Sequence, residues 1–126
     1  MNTEKILIVD DEQETLNHLK NIIQGRFDYC VDKAINGEEA ISKMLSDDYR
    51  IVILDIRMPG LNGIDVMRKV KKEKKLPPVV VLTAYDNDEI AREVTKEGAM
   101  YYMPKPVNVE HLIELIKKEL NRKDIA

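Results

Sequence analysis

Residues 51–55 read Ile51-Val52-Ile53-Leu54-Asp55, four aliphatic side chains in a row followed by a carboxylate. Such a run, in which three residues are β-branched, indicates a strand that is buried on both faces. Because burying an unpaired carboxylate inside that strand would be costly, Asp55 is expected at its C-terminal end. The turn residues of segment 58–63, Met-Pro-Gly-Leu-Asn-Gly, carry the chain out of the sheet there. Ligands of open parallel sheets bind at that edge, so Asp55 is a candidate nucleophile.

The composition of the 126 residues is typical of one globular domain, and we expect a single domain over residues 1–126. The net charge of −3 provides no basic excess for direct binding of nucleic acid. The single cysteine, Cys30, excludes an internal disulfide and fits a reducing compartment. The first apolar run, 6–9, is far shorter than the roughly 20 residues of a membrane span. We therefore expect a cytoplasmic protein with no membrane partner.

Short apolar runs alternate with longer amphipathic segments along the whole chain. The runs predict five strands, at residues 6–9, 29–31, 51–54, 79–82 and 99–103. Gly25 is expected to end the first helix, and a helix over about 87–97 has so few apolar residues that we expect it to be loosely anchored. Five βα units in succession predict an α/β fold, a doubly wound parallel sheet with helices on both faces.

Strand composition indicates which strands lie in the middle of that sheet. The first, third and fourth strands are wholly aliphatic, as central strands are, whereas the second runs on into Asp32 and Lys33 and the fifth includes two tyrosines. Other side chains are expected in the core because of their spacing or type: Leu45 in the second helix, Cys30 as a small hydrophobe, and Met44, Met67, Met100 and Met103 as filler.

Polar side chains follow these strands where each one ends. If the first and third strands are neighbours, Asp10 and Asp11 lie close to Asp55, and two unit charges ~4 Å apart repel by about 4 kcal/mol at an effective dielectric of ~20. A divalent cation would relieve this repulsion, and an all-oxygen ligand set favours Mg²⁺. Thr83 and Lys105 follow the fourth and fifth strands and supply a hydroxyl and a cation suited to phosphoryl oxygens.

Together these motifs resemble the receiver domain of two-component response regulators. The resemblance extends over about residues 5–120 and rests on short motifs in a fixed order at strand ends: Asp10-Asp11, Asp55 with Met58-Pro59-Gly60 and Gly63, Thr83-Ala84, and Lys105-Pro106. It implies a flavodoxin-like sheet of order 2-1-3-4-5. It also implies a phosphoacceptor that promotes its own phosphorylation and dephosphorylation, rather than a turnover enzyme.

The resemblance further implies the chemistry of the site. Asp55 would take a phosphoryl group from the phosphohistidine of a sensor histidine kinase or histidine phosphotransfer protein, or from a small phosphodonor. Mg²⁺, or Mn²⁺ in its place, would be held by Asp11, Asp55 and the backbone carbonyl of Arg57, with Asp10 close by or reaching it through water. Thr83 and Lys105 would bind the phosphoryl oxygens.

A switch is implied as well. Thr83 would move inward on phosphorylation and Tyr102 would turn from exposed to buried. The surface formed by the fourth helix, fifth strand and last helix would then change its contacts with an output domain or a downstream protein. The Lys105-Pro106 bond is expected to be cis. Arg57 and Tyr85 flank the site and are expected to slow the loss of the phosphoryl group.

Alternative functions remain to be weighed against this one. Singly, the acidic run 10–12 could be a helix N-terminus that favours negative charge, and Tyr102 a simple edge-strand aromatic. A phosphatase of the haloacid dehalogenase type needs a second Asp where this chain has Arg57, which cannot act as a general acid. A flavodoxin-like mononucleotide binder needs a Gly/Ser/Thr-rich loop after the first strand, where this chain has the acidic run 10–12. A receiver that serves only as an interaction surface would lack an acid, the Thr or the Lys, and none of these is missing here. The chain could be a complete regulator, a relay intermediate or part of a longer protein.

Overall fold

The computed structural model describes residues 4–58, 60–84 and 88–121. Five strands and five helices alternate along the chain in the order β1 (Lys5–Val9), α1 (Gln13–Arg26), β2 (Cys30–Ala34), α2 (Gly37–Ser46), β3 (Tyr49–Asp55), α3 (Gly63–Glu73), β4 (Val79–Thr83), α4 (Asp88–Glu97), β5 (Tyr101–Pro104) and α5 (Val109–Leu120). None of the helices in these described ranges is long and apolar enough to cross a membrane.

The strands form one parallel sheet of order β2-β1-β3-β4-β5, which confirms both the predicted order and the predicted fold class. The strand that carries Asp55 is therefore at the centre. Its register pairs Leu54 with Val9 of β1 on one side and with Val81 of β4 on the other. The three central strands consequently end at nearly the same level, and the residues that follow them share one edge of the sheet.

Two apolar cores lie on opposite faces of the sheet, because successive side chains of a strand point to opposite sides. Along β3, Val52 and Leu54 pack with buried residues of α2, α3 and α4. Ile51 and Ile53 pack with buried residues of α1 and α5. All four side chains are completely buried, as the unbroken aliphatic run predicts.

Asparagine side chains begin three of the helices. Asn36 accepts a hydrogen bond from the backbone N–H of Glu39 at the start of α2, and Asn108 accepts one from His111 at the start of α5. At α3 the bonding is reciprocal: the Asn62 side chain accepts from the Asp65 N–H and the Asp65 carboxylate accepts from the Asn62 N–H. The start of α3 fixes the point at which the loop after Asp55 returns to regular structure.

The first helix does not end at Gly25, contrary to the sequence expectation. It continues to Arg26, and Phe27 follows in extended conformation. Among the described residues, positive φ values occur only at Gly60 and Gly98, so Gly25 does not adopt the left-handed backbone of a glycine helix end. No heavy atom lies within 4 Å of the position its Cβ would take. Gly25 is thus an exposed helical residue.

Three side chains expected in the core are exposed. Leu45 is 40% exposed and Met100 is 36% exposed. Cys30 is exposed because it begins the edge strand β2, which runs to Ala34 instead of covering 29–31. Leu45 lies at the margin of the apolar face of α2, where Ala40 and Met44 occupy the buried positions. Met44, Met67 and Met103 are buried as expected.

Two leucine truncations should separate the core from this margin. Leu16→Ala removes a completely buried side chain of α1 and is expected to lower the free energy of unfolding by about 2–5 kcal/mol. Leu45→Ala makes the same chemical change at an exposed helix position and should lower it by less than about 1 kcal/mol. Urea denaturation followed by circular dichroism measures both. Equal losses would contradict the described burial.

Candidate functional site

The ends of the central strands bring three carboxylates together. Asp10 and Asp11 follow β1, and Asp55 is the last residue of β3. One carboxylate oxygen from each of these residues lies within 4.8 Å of the others. Asp10 and Asp55 are 1% and 4% exposed, whereas Asp11 is exposed. The cluster therefore consists of two buried carboxylates and one that is open to solvent.

Lys105 places its ammonium between the two buried acids. Its Nζ lies 3.2 Å from Oδ2 of Asp10 and 3.3 Å from Oδ2 of Asp55. Its backbone N–H donates to the carbonyl oxygen of Thr83 over 2.7 Å, which ties the end of β5 to the end of β4. The bond between Lys105 and Pro106 is cis, as expected. Within the described residues, one cation thus serves two buried anions.

Backbone donors fix the orientation of both buried carboxylates. Oδ1 of Asp10 accepts from the N–H of Glu12 over 2.9 Å, and Oδ1 of Asp55 accepts from the N–H of Arg57 over 3.3 Å. In each acid the other oxygen, Oδ2, contacts Lys105. The carboxylates are held from both sides before any ligand arrives.

Burial and charge act in opposite directions on the acidity of this cluster. Burial raises the pKa of Asp55 to about 6, the ammonium of Lys105 opposes this rise and the carboxylate of Asp10 adds to it. For Lys105, burial lowers the pKa, but the carboxylates of Asp55 and Asp10 outweigh burial and leave the pKa raised. The ammonium therefore stays charged, whereas Asp55 holds its proton more tightly than an exposed aspartate does.

An open cleft of about 770 Å³ lies over the cluster. Asp11, Asp55, Lys105 and Ala84 line it together with part of the β3–α3 loop, the segment 56–62. The lining residues of that loop are Ile56, Arg57, Met58, Gly60 and Asn62. Thr83, one residue before Ala84, is completely buried at the end of β4. The cleft is large enough for a phosphoryl group and its donor to reach Asp55.

The other residues predicted to take part in the site differ in their relation to the cleft. Arg57 is exposed and lines the cleft. Tyr102 lies on β5, is partly buried and packs against the core on the α2–α4 face. Tyr85 lies outside the described residues, so its predicted effect on phosphoryl lifetime stays a prediction.

The donor set of the cluster fits a hard cation. Asp10, Asp11 and Asp55 offer only carboxylate oxygens, which are the ligands preferred by Mg²⁺ and Mn²⁺. A partly open site with few protein ligands also leaves coordination positions for the oxygens of a phosphoryl group. The side chains present could therefore hold the metal that the sequence predicts.

Close packing behind the site was not predicted from the sequence. Gly63 donates its N–H to the carbonyl oxygen of Ile56 over 2.8 Å. A Cβ at Gly63 would lie 2.9 Å from the carbonyl oxygen of Asp55 and 3.0 Å from the Cα of Ile56. Only glycine allows α3 to begin so close to the end of β3. The Asn62-Gly63 pair before an apolar period is a helix-start signal, but it does not reveal this contact.

The chain belongs to the response regulator receiver domain family, since the profile of that family matches residues 6–117. It is thus a receiver domain of the two-component response regulator class. Among its relatives, the transcriptional regulatory protein ResD of Bacillus subtilis is 36% identical over 121 residues. The CpxR homolog of Haemophilus influenzae is 41% identical over 119 residues. The alignments cover 96% and 94% of this chain but 50% and 51% of the relatives, so the chain spans about half their length.

Solved structures agree with this assignment. A response regulator receiver domain protein from Methanospirillum hungatei has a TM-score of 0.89 and 28% sequence identity, and the alignment covers 98% of both chains. The response regulator TrrA of Thermotoga maritima, solved in complex with Mg²⁺–BeF, has a TM-score of 0.80 and 38% identity. That alignment covers 93% of this chain and 99% of TrrA.

Because the pKa of Asp55 is raised, replacing its carboxylate by a neutral amide should increase the free energy of unfolding by an amount that depends on pH. The folded pKa is about 6 and the ordinary value is 3.8, so the folded state holds a proton that the unfolded state has lost between these values. Stability from this group is complete below about pH 4 and is lost as pH rises through 6. In metal-free buffer Asp55→Asn should therefore stabilise the protein by on the order of 1–3 kcal/mol at pH 7.5, with about a third of that gain at pH 4.5.

Urea denaturation in the presence of EDTA, repeated at each pH, measures this difference. Asp28→Asn is the matched control, because it removes the same charge at an exposed position. A gain from Asp55→Asn that did not vary with pH, or an equal gain from Asp28→Asn, would contradict a raised pKa at Asp55.

Proposed function

We propose that this receiver domain accepts a phosphoryl group on Asp55 in a Mg²⁺-dependent phosphorelay. The observation that carries the proposal is the convergence of Asp10, Asp11 and Asp55 with the Lys105 ammonium in one open cleft. The complex of TrrA with Mg²⁺–BeF supports the choice of metal. The donors would be a sensor histidine kinase or histidine phosphotransfer protein, or a small phosphodonor.

In the proposed reaction an oxygen of Asp55 attacks phosphorus, and the bond from phosphorus to the donor nitrogen or oxygen breaks. Asp11, Asp55 and the backbone carbonyl of Arg57, with Asp10 beside them, would hold the metal. When bound, Mg²⁺ would neutralise charge on the phosphoryl oxygens during transfer. Lys105 would pair with a phosphoryl oxygen, and the hydroxyl of Thr83 would bind another. The product is an aspartyl phosphate.

The proposed output is a change in the surface formed by α4, β5 and α5. Among the described residues of α4, Val94 is the one completely buried side chain. Ile90 is partly buried against the core, and Glu97 pairs with two cations of α3, 2.9 Å from Nε of Arg68 and 2.8 Å from Nζ of Lys71. Such partly exposed ion pairs contribute little stability, so α4 can shift at low cost. Movement of Thr83 and Tyr102 on phosphorylation would change how this surface meets an output domain or a downstream protein.

The decisive experiment is incubation with a small phosphodonor and Mg²⁺. We expect one phosphoryl group per chain, resistant to acid and labile to base, detected by intact-mass spectrometry. Asp55→Asn should abolish it, and Lys105→Met should reduce the rate at least about tenfold because the charge opposite the phosphoryl oxygens is lost. Asp28→Asn, exposed and outside the cleft lining, is the control and should be phosphorylated like wild type.

Other outcomes would point to the competing functions. Multiple turnover of the donor would favour a phosphatase. No stable phosphate under any condition would favour a module that acts only through its surface. Either outcome would refute the proposed phosphoacceptor.

The lifetime of the phosphorylated form is expected to be long. Arg57 lines the cleft and can pair with the phosphoryl group, and Tyr85 is proposed to shield it from water. Arg57→Ala and Tyr85→Ala should each accelerate decay severalfold, and the double variant should accelerate it further. Decay is measured after removal of the donor. Unchanged rates in all three variants would contradict these roles.

A further inference from the structure

The start of α2 presses against the β3–α3 loop at a residue without a side chain. Gly37 is buried and opens α2. A Cβ at this position would lie 2.7 Å from the Cβ of Leu61, 2.7 Å from the carbonyl oxygen of Leu61 and 3.2 Å from Cγ2 of Val66. Separations under 3 Å are not tolerated by real Cβ atoms, and one of the two close neighbours is backbone. Any side chain at 37 therefore displaces either the loop or the helix start.

Backbone conformation does not explain this glycine. The φ of Gly37 is not positive, so alanine could adopt its conformation. Alanine is also the better residue in a helix. Close approach to Leu61 is the remaining reason for glycine here.

Both sides of this contact are connected by hydrogen bonds to the acidic cluster. The loop that contains Leu61 also contains Arg57, whose N–H holds Oδ1 of Asp55. The helix start is tied in turn to the end of β2: the Ile35 N–H donates to Glu39 of α2 over 3.1 Å. The Ala34 carbonyl, one residue earlier, accepts from the N–H of Asp10 over 3.1 Å. The start of α2 is thus linked to both segments that deliver the carboxylates, to one by the contact with Leu61 and to the other through residues 34–35.

We propose that Gly37, which does not line the cleft, is a positioning residue for the metal site. Its missing side chain lets α2 pack against Leu61 and hold the β3–α3 loop where Asp55 and the Arg57 carbonyl can bind a divalent cation together with Asp11. This inference rests on the proposed Mg²⁺ site. It assigns to α2, a helix with no residue in the cleft lining, control over the affinity of that site.

The test compares three variants with the wild-type protein. Gly37→Ala should weaken Mg²⁺ binding by at least about tenfold in isothermal titration calorimetry, as loss of outer support does at metal sites. Gly25→Ala adds the same methyl group to α1, where no atom lies within 4 Å, and should leave Mg²⁺ affinity unchanged. Ile116→Val destabilises the core on the α1–α5 face and controls for a general loss of stability.

A second measurement needs no metal. In the amide ¹H–¹⁵N spectrum of the metal-free protein, Gly37→Ala should shift the resonances of residues 56–58, of residues 60–62 and of Asp10. Gly25→Ala should shift only those near α1. Urea denaturation establishes that each variant is folded at the temperature of the titration.

Wild-type affinity in Gly37→Ala would overturn the inference, and so would an equal loss of affinity in Ile116→Val. If the wild-type protein itself bound no Mg²⁺, the proposed function would be refuted instead. The amide shifts would then decide alone whether Gly37 positions the loop: their confinement to α2 would overturn that role.

Discussion

Two buried carboxylates share one ammonium at the carboxyl end of this sheet, and the arrangement of the site depends on this excess of negative charge. Asp10 and Asp55 each contact Lys105, at 3.2 Å and 3.3 Å. Removing two carboxylates from water is costly, and one cation repays only part of that cost. The imbalance is visible in Asp55, whose pKa is raised to about 6 although an ammonium lies beside it. A site in this condition gains stability from a proton or a second cation, and Asp11 provides a further ligand on its open side.

The rest of the fold keeps these charges in place. The three central strands end side by side because their register aligns Val9, Leu54 and Val81, and their side chains are buried in two cores. Strands packed on both faces have no freedom to relieve repulsion by moving apart. Apolar burial elsewhere in the sheet thus offsets the cost of crowding the acids. The repulsion between the carboxylates persists in the folded protein, and binding of a cation would relieve it.

Features that depend on one segment were predictable, and those that depend on contacts between segments were not. Aliphatic composition identified the three central strands, and a carboxylate after an aliphatic run identified Asp55 as a strand-end residue. The outer strand order came from family resemblance. Helical periodicity predicted burial of Leu45, but a period defines the centre of an apolar face and not its margin. Exposure of Cys30 follows from its position at the start of β2: the polar residues of this strand indicated an edge, but not which of its positions would be open to solvent.

The helices are attached to the sheet by different kinds of interaction, and this difference has a functional consequence. α1 and α5 bury aliphatic side chains against β3, so displacing them would expose a core to water. α4 buries one side chain completely, Val94, among its described residues, and Glu97 pairs with Arg68 and Lys71 in contacts that water can replace. In the proposed switch, a small rearrangement at the end of β4 would therefore meet less resistance from α4 than from α1 or α5. Rigid support for the charges and a weakly held helix are the two properties that the proposed phosphorelay role requires, because that role needs a fixed site for the phosphoryl group and a surface that can move.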